Sequence, residues 1–157
     1  MKFYLKQTSL FKNNFEIRNE DEELVYLVKG NVGGFVGLRS SIHDAKDDSE
    51  LATIRQRFSQ YKFDIKKGDQ LLATVKKKWL ALRTTCEIDG VDWQMTGKFL
   101  KRREYDIVDK QGQAVARVSQ NLSFKDSFEV DIANISLDPV LVLGVVLSLD
   151  AVIDQSK

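Results

Sequence analysis

Residues 140–149 constrain this chain more than any other stretch. Val140, Leu141, Val142, Leu143, Val145, Val146, Leu147 and Leu149 leave no polar face. Just before them, Asp138 suits the capping position of a helix and Pro139 its first turn. A helix that is apolar all round belongs in a protein core or in a membrane. Length decides between the two. Pro139 to Ile153 is 15 residues, about 22 Å at 1.5 Å per residue. A bilayer core needs about 30 Å, and Asp150 interrupts the run. The expectation is a buried helix over residues 138–154 and no membrane-spanning segment. A buried strand is the alternative, since valines suit one.

The rest of the chain must supply the walls around that helix, and it reads as strand. A degenerate unit recurs: Phe15-Glu16-Ile17, Phe63-Asp64-Ile65 and Tyr105-Asp106-Ile107 each precede a turn rich in Gly, Asp or Asn, then an alternating segment. A weaker copy starts at Ile42. This is the pattern of a β-hairpin used several times. Ala73, Val75, Lys77 and Trp79 alternate with Leu72, Thr74, Lys76 and Lys78, as on the two faces of a strand. Asp89-Gly90 marks a tight hairpin. About twelve short strands fit before residue 135, and closing them into a barrel removes exposed edges. Inside such a barrel Val142, Val145, Val146 and Leu149 should meet strands on several sides. Gly144 should admit one close neighbour, and Asp150 should lie near a mouth where water or a base satisfies it.

With one proline and no low-complexity linker, the 157 residues are expected to form one domain, 1–157. Cys86 stands alone, so no internal disulfide is available, and the opening Met1-Lys2-Phe3-Tyr4-Leu5-Lys6 builds no apolar leader. Both suggest a reducing, cytoplasmic setting. The net charge of +1 hides an asymmetry. From Arg55 to Arg103 there are 13 Lys/Arg against 5 Asp/Glu, and elsewhere 11 against 18. A basic face toward phosphates is one consequence, and charge spread along exposed strands is the plainer one.

Taken in order, Met1-Lys2-Phe3-Tyr4-Leu5-Lys6-Gln7, the Phe15-Glu16-Ile17 hairpin with Val28-Lys29-Gly30, Glu50-Leu51-Ala52-Thr53-Ile54-Arg55-Gln56, and Phe128-Glu129-Val130-Asp131-Ile132 before the apolar helix carry a resemblance. The chain resembles a bacterial member of the LURP-one-related family, within the tubby-like superfamily, over nearly its whole length. The resemblance implies a mainly β fold, a tubby-like antiparallel barrel of about twelve strands enclosing one apolar C-terminal α-helix. It offers no established catalytic residues to carry over, and no cofactor is expected. It brings in relatives of three kinds: plant proteins linked to pathogen defence, tubby proteins that bind phosphoinositides, and phospholipid scramblases.

Residues that carry chemistry are sparse. His43 is the only histidine and is placed in a solvated, acid-rich loop. No nucleophile elbow accompanies it, so no catalytic residue is assigned. Gly30, Gly33, Gly34 and Gly37 lack the following helix of a phosphate loop and read as turn or bulge glycines. Asp126, Glu129 and Asp131 are weak calcium candidates, because their place before the helix resembles the acidic segment of scramblases. Lys76, Lys77, Lys78, Lys98, Lys101, Arg102 and Arg103 combine positive charge with nearby aromatics and are the candidate lipid-headgroup or anion-binding set.

The functional expectation is therefore a non-catalytic binding or scaffold protein, at the surface of anionic membranes or on a protein partner. An enzyme of unrecognised type and an interaction module in a stress or defence response are the alternatives. Nucleic acid is disfavoured by the near-zero net charge, and an apolar-ligand carrier by the helix that should fill the lumen.

Overall fold

The computed structural model describes residues 1–8, 14–30, 37–57, 62–80, 83–96, 103–120 and 127–155. Twelve strands precede one helix: β1 (Lys2–Gln7), β2 (Phe15–Arg18), β3 (Leu24–Gly30), β4 (Arg39–Asp44), β5 (Glu50–Gln56), β6 (Lys62–Lys67), β7 (Gln70–Leu80), β8 (Arg83–Asp89), β9 (Trp93–Thr96), β10 (Tyr105–Val108), β11 (Ala114–Gln120), β12 (Ser127–Ile132) and α1 (Pro139–Gln155). Each strand pairs antiparallel with its sequence neighbour. β1 also pairs with β12, so the sheet closes into a barrel without a free edge.

The period-two pattern sets the faces. Phe3 and Leu5, Phe15 and Ile17, Phe63 and Ile65, Tyr105 and Ile107, and Phe128, Val130 and Ile132 all point inward and are buried. The recurring aromatic-acid-Ile unit has a common geometry. The pairing shifts by one residue after Ile17, Ile42, Ile65 and Ile107. A bulge at each hairpin base bends and twists the strand there, which helps a sheet to curl closed. The acid of the unit faces outward, where Arg18, Arg57 and Arg117 pair with Glu16, Asp64 and Asp106.

The helix runs through this barrel. It packs against β5, β6, β7 and β12, and β12 lies six places round the ring from β6. Walls on opposite sides therefore meet it. Val142, Val145, Val146 and Leu149 are fully buried, as an apolar-all-round helix requires. Each such side chain contributes about 1.5–3 kcal/mol. A side chain at Gly144 would start 3.0 Å from Ile65 Cγ2, so the helix backbone rests on β6 there. At the start, Asp138 Oδ1 accepts the Val140 N–H at 3.0 Å, which caps the helix as the sequence implies. At the far end, Asp150 meets Arg103 at 2.5 Å. The Arg103 guanidinium also lies over the Phe128 ring, 4.8 Å from its centroid. The Ser148 hydroxyl donates to the Gly144 carbonyl at 2.8 Å. Among the described residues no buried side-chain polar atom lacks a partner, and no helix is long and apolar enough to cross a membrane.

Candidate functional site

The helix and the inward strand positions fill the lumen with buried side chains. A groove of about 430 Å³ lies across β4, β5 and β6, lined by Arg39, Thr53, Arg55, Gln56, Arg57, Asp64 and Lys66. Strand register assembles it. Arg39 stands directly opposite Arg55, Arg55 opposite Asp64, and Thr53 opposite Lys66. Side chains directly opposite across an antiparallel pair lie close together, and like charges there are destabilising. Among the described residues neither Arg39 nor Arg55 has an ion-pair partner.

Among the described residues Asp64 is the only acid lining the groove, and its environment is cationic. Arg57 donates from Nε and Nη2 to the two carboxylate oxygens, each at 2.9 Å, and the Thr74 hydroxyl donates to Oδ1 at 2.8 Å. Partial burial pushes this carboxyl up. The hydrogen bonds from Arg57 and Thr74 and the charges of Arg57 and Lys66 outweigh it, so the carboxyl titrates below its ordinary 3.8. Asp64 is thus fixed as an anion that neutralises Arg57, leaving Arg39, Arg55 and Lys66 as the groove's surplus positive charge. Such a surface can hold a tetrahedral anion through guanidinium forks and an ammonium.

The basic residues singled out from sequence are not brought together where they are described. Lys76 faces outward on β7 and pairs with Asp89. Lys77 shares the inward side with Ala73 and Val75 and stands across from Cys86. Arg103 is not a surface base: it is committed to Asp150. The Lys78 side chain and all of Lys98, Lys101 and Arg102 lie outside the described residues. The acids before the helix are held by cations. Glu129 pairs with Lys2 at 3.4 Å and Asp131 with the N-terminal ammonium at 3.6 Å, while Asp126 lies outside the described residues. Among the described residues no group of three or more metal-ligating side chains occurs.

His43 sits on β4, not in a loop, because Asp44 N–H still reaches back from the strand to the Ser49 carbonyl and the turn begins only after it. Its Nε2 lies 2.7 Å from Ser41 Oγ and its Nδ1 3.0 Å from the Asp48 backbone oxygen. The order Ser–His–Asp is suggestive on paper. Nδ1 also lies 3.5 Å from Asp48 Oδ1, but that carboxylate is held more closely by Lys29 through both oxygens, at 2.7 and 2.8 Å. The network clamps a turn. Burial pushes the Cys86 thiol up to about 12, against a smaller opposing effect of Lys77, which disfavours its thiolate. Of the glycine string, Gly30 ends β3, Gly37 takes a turn conformation at φ 76°, and Gly33 and Gly34 lie outside the described residues.

A closed twelve-stranded antiparallel barrel filled by its own C-terminal helix, with a basic groove on the outer wall, defines the class of protein. Comparison with known proteins narrows it. The model of the LURP-one-related family matches residues 1–150, and the chain belongs to that family. Among solved structures, a protein from Arabidopsis thaliana determined by X-ray matches with a TM-score of 0.68 at 18% identity. The match covers 99% of this chain and 92% of that one, a likeness of fold. No curated protein sequence matches the chain.

Proposed function

We propose that this protein is a non-catalytic binding module whose β4–β6 wall associates with the headgroups of anionic phospholipids, peripherally at a cytoplasmic membrane face. The observation that supports this most is the Arg39–Arg55 pair. Two arginines directly opposite each other, neither with an ion-pair partner among the described residues, cost stability unless something else gains from them. Phosphate oxygens entering the groove would supply the missing negative charge. Each basic side chain close to an anionic surface is worth about 1 kcal/mol, so Arg39, Arg55 and Lys66 together give reversible, salt-sensitive attachment. Among the described residues, those lining the groove are charged or polar and none is aromatic. The groove also offers no free general base, since Asp64 is locked by Arg57 and Thr74. Lys98, Lys101 and Arg102 belong to the same proposal as an additional basic contact.

Flotation with vesicles containing phosphatidic acid, phosphatidylglycerol or only phosphatidylcholine tests the reading. Binding to both anionic compositions at low salt, lost at high salt and absent from the neutral vesicles, is expected. Equal behaviour on anionic and neutral vesicles at low salt would overturn it.

A further inference from the structure

The groove depends on a residue that contributes no charge to it. Gln56, the last residue of β5, lines the groove beside Arg55. Its side-chain Oε1 accepts the Leu38 backbone N–H at 3.0 Å, while its own backbone N–H donates to the Leu38 carbonyl at 2.9 Å. One glutamine therefore grips both polar groups of the residue that precedes Arg39. The residue before that, Gly37, has φ +76°, and a side chain there would begin 3.1 Å from Gln56 Oε1 and 3.2 Å from its Cβ. The chain lies directly on the glutamine, and a side chain at this position would be strained by the positive φ and would have to push the glutamine aside by a few tenths of an ångström. Leu38 is itself buried, so the segment is pinned from the core side as well.

We infer that Gln56 is a positioning residue: through the Gly37–Leu38 backbone it fixes where β4 begins, and so holds Arg39 opposite Arg55 for a shared phosphate. Without the side-chain bond the Leu38 N–H must seek water, and the start of the strand is released. Arg39 then has to be ordered when the ligand binds, and that ordering entropy is subtracted from affinity. This inference rests on the proposed headgroup-binding reading and assigns a separate role within it.

A double-mutant cycle separates the two. The probe is partitioning onto vesicles of phosphatidylcholine with 20–30% phosphatidic acid, roughly the range in which a few basic contacts are detectable, with soluble glycerol 3-phosphate as competitor. Arg39→Ala, Arg55→Ala and Gln56→Ala are each expected to weaken partitioning about fivefold, the effect of one basic contact. The decisive comparison is between backgrounds. Gln56→Ala should add nothing to Arg39→Ala but retain its full effect on Arg55→Ala, because it acts only through Arg39. Gly37→Ala, strained and crowded against Gln56, should reproduce the pattern with every charge intact. A general loss of structure would lower binding equally in both backgrounds, and this would overturn the inference. So would a Gln56→Ala protein that partitions like wild type while Arg39→Ala does not. If wild type shows no preference for phosphatidic acid over phosphatidylcholine, the headgroup reading itself falls. Competition by millimolar glycerol 3-phosphate would assign recognition to the free phosphomonoester. Its absence would assign recognition to the headgroup held at a membrane surface. In either case the cycle still decides the role of Gln56.

Discussion

Two arginine–aspartate pairs in this barrel do opposite work. Arg103 and Asp150 meet where the helix approaches the wall, with side chains only 17% and 12% exposed. Arg57 and Asp64 meet on the outer wall, where Arg57 is 46% exposed. The first joins elements 47 residues apart and holds the helix end inside the barrel. Its charges are dear to desolvate, and breaking it strands one of them. The second joins neighbouring strands in partial contact with water, so its direct value to stability is small. Its consequence is positional: it removes Arg57 and Asp64 from play and leaves Arg39 and Arg55 unbalanced. The interior spends charge on fixing the fold, and the exterior leaves charge uncompensated.

The comparison breaks most visibly from the inside. Val145→Asp would bury a charge at a position of zero exposure. The cost is several kcal/mol against a total stability of about 5–15 kcal/mol. The variant, and a chain truncated before residue 138, should be unfolded by circular dichroism. Their Cys86 should react with a thiol reagent that leaves the native protein unlabelled. A truncated chain that stays monomeric and cooperatively folded would contradict the enclosed-helix fold.

Next in size is the inner pair itself. Asp150→Ala leaves Arg103 without its carboxylate in a half-apolar site over Phe128. About 3–5 kcal/mol should be lost in denaturant unfolding. Replacing both, Asp150→Ala with Arg103→Met, should recover much of that, because the penalty lies in the stranded charge. A double variant no better than the single one would mean that the pair is needed for more than neutralisation.

Smaller still is the outer pair, which acid should expose. The folded-state pKa of Asp64 lies below its ordinary 3.8. Its contribution is therefore present in full above the unfolded value and is lost as pH falls through the folded one. Wild type should be slightly more stable than Asp64→Asn at pH 7, and the difference should shrink below about pH 4. A difference that grows in acid would show that Asp64 is not held as an anion.

The interior was readable in the sequence because burial leaves periodic traces. The apolar run of the helix, the inward aromatic and Ile of each repeated unit, and the Asp138 cap are local signals, and each occurs as read. The groove was not readable, for a specific reason. Counting back from the His43–Glu50 pair at the turn places Arg39 opposite Ile54. The bulge after Ile42 moves the register by one and brings Arg55 there instead. One inserted residue converts an unremarkable surface arginine into half of a pair. Arg103 shows the converse. Its neighbours Lys101 and Arg102 suggested a surface cluster, but it is claimed by an aspartate on the distant helix, a contact that no local pattern announces.

The unbalanced pair is the centre of the account, and one double variant measures it directly. In Arg39→Ser/Arg55→Ser, vesicle partitioning and thermal stability should move in opposite directions. Binding to phosphatidic acid vesicles should fall about 25-fold, two basic contacts' worth, leaving the smaller share of Lys66. The melting temperature should hold or rise, since relieving a like-charge cross-strand pair is worth about 0.2–1 kcal/mol. Undiminished vesicle binding, or a loss of binding accompanied by an equal loss of stability, would contradict the claim that these charges are kept for a ligand.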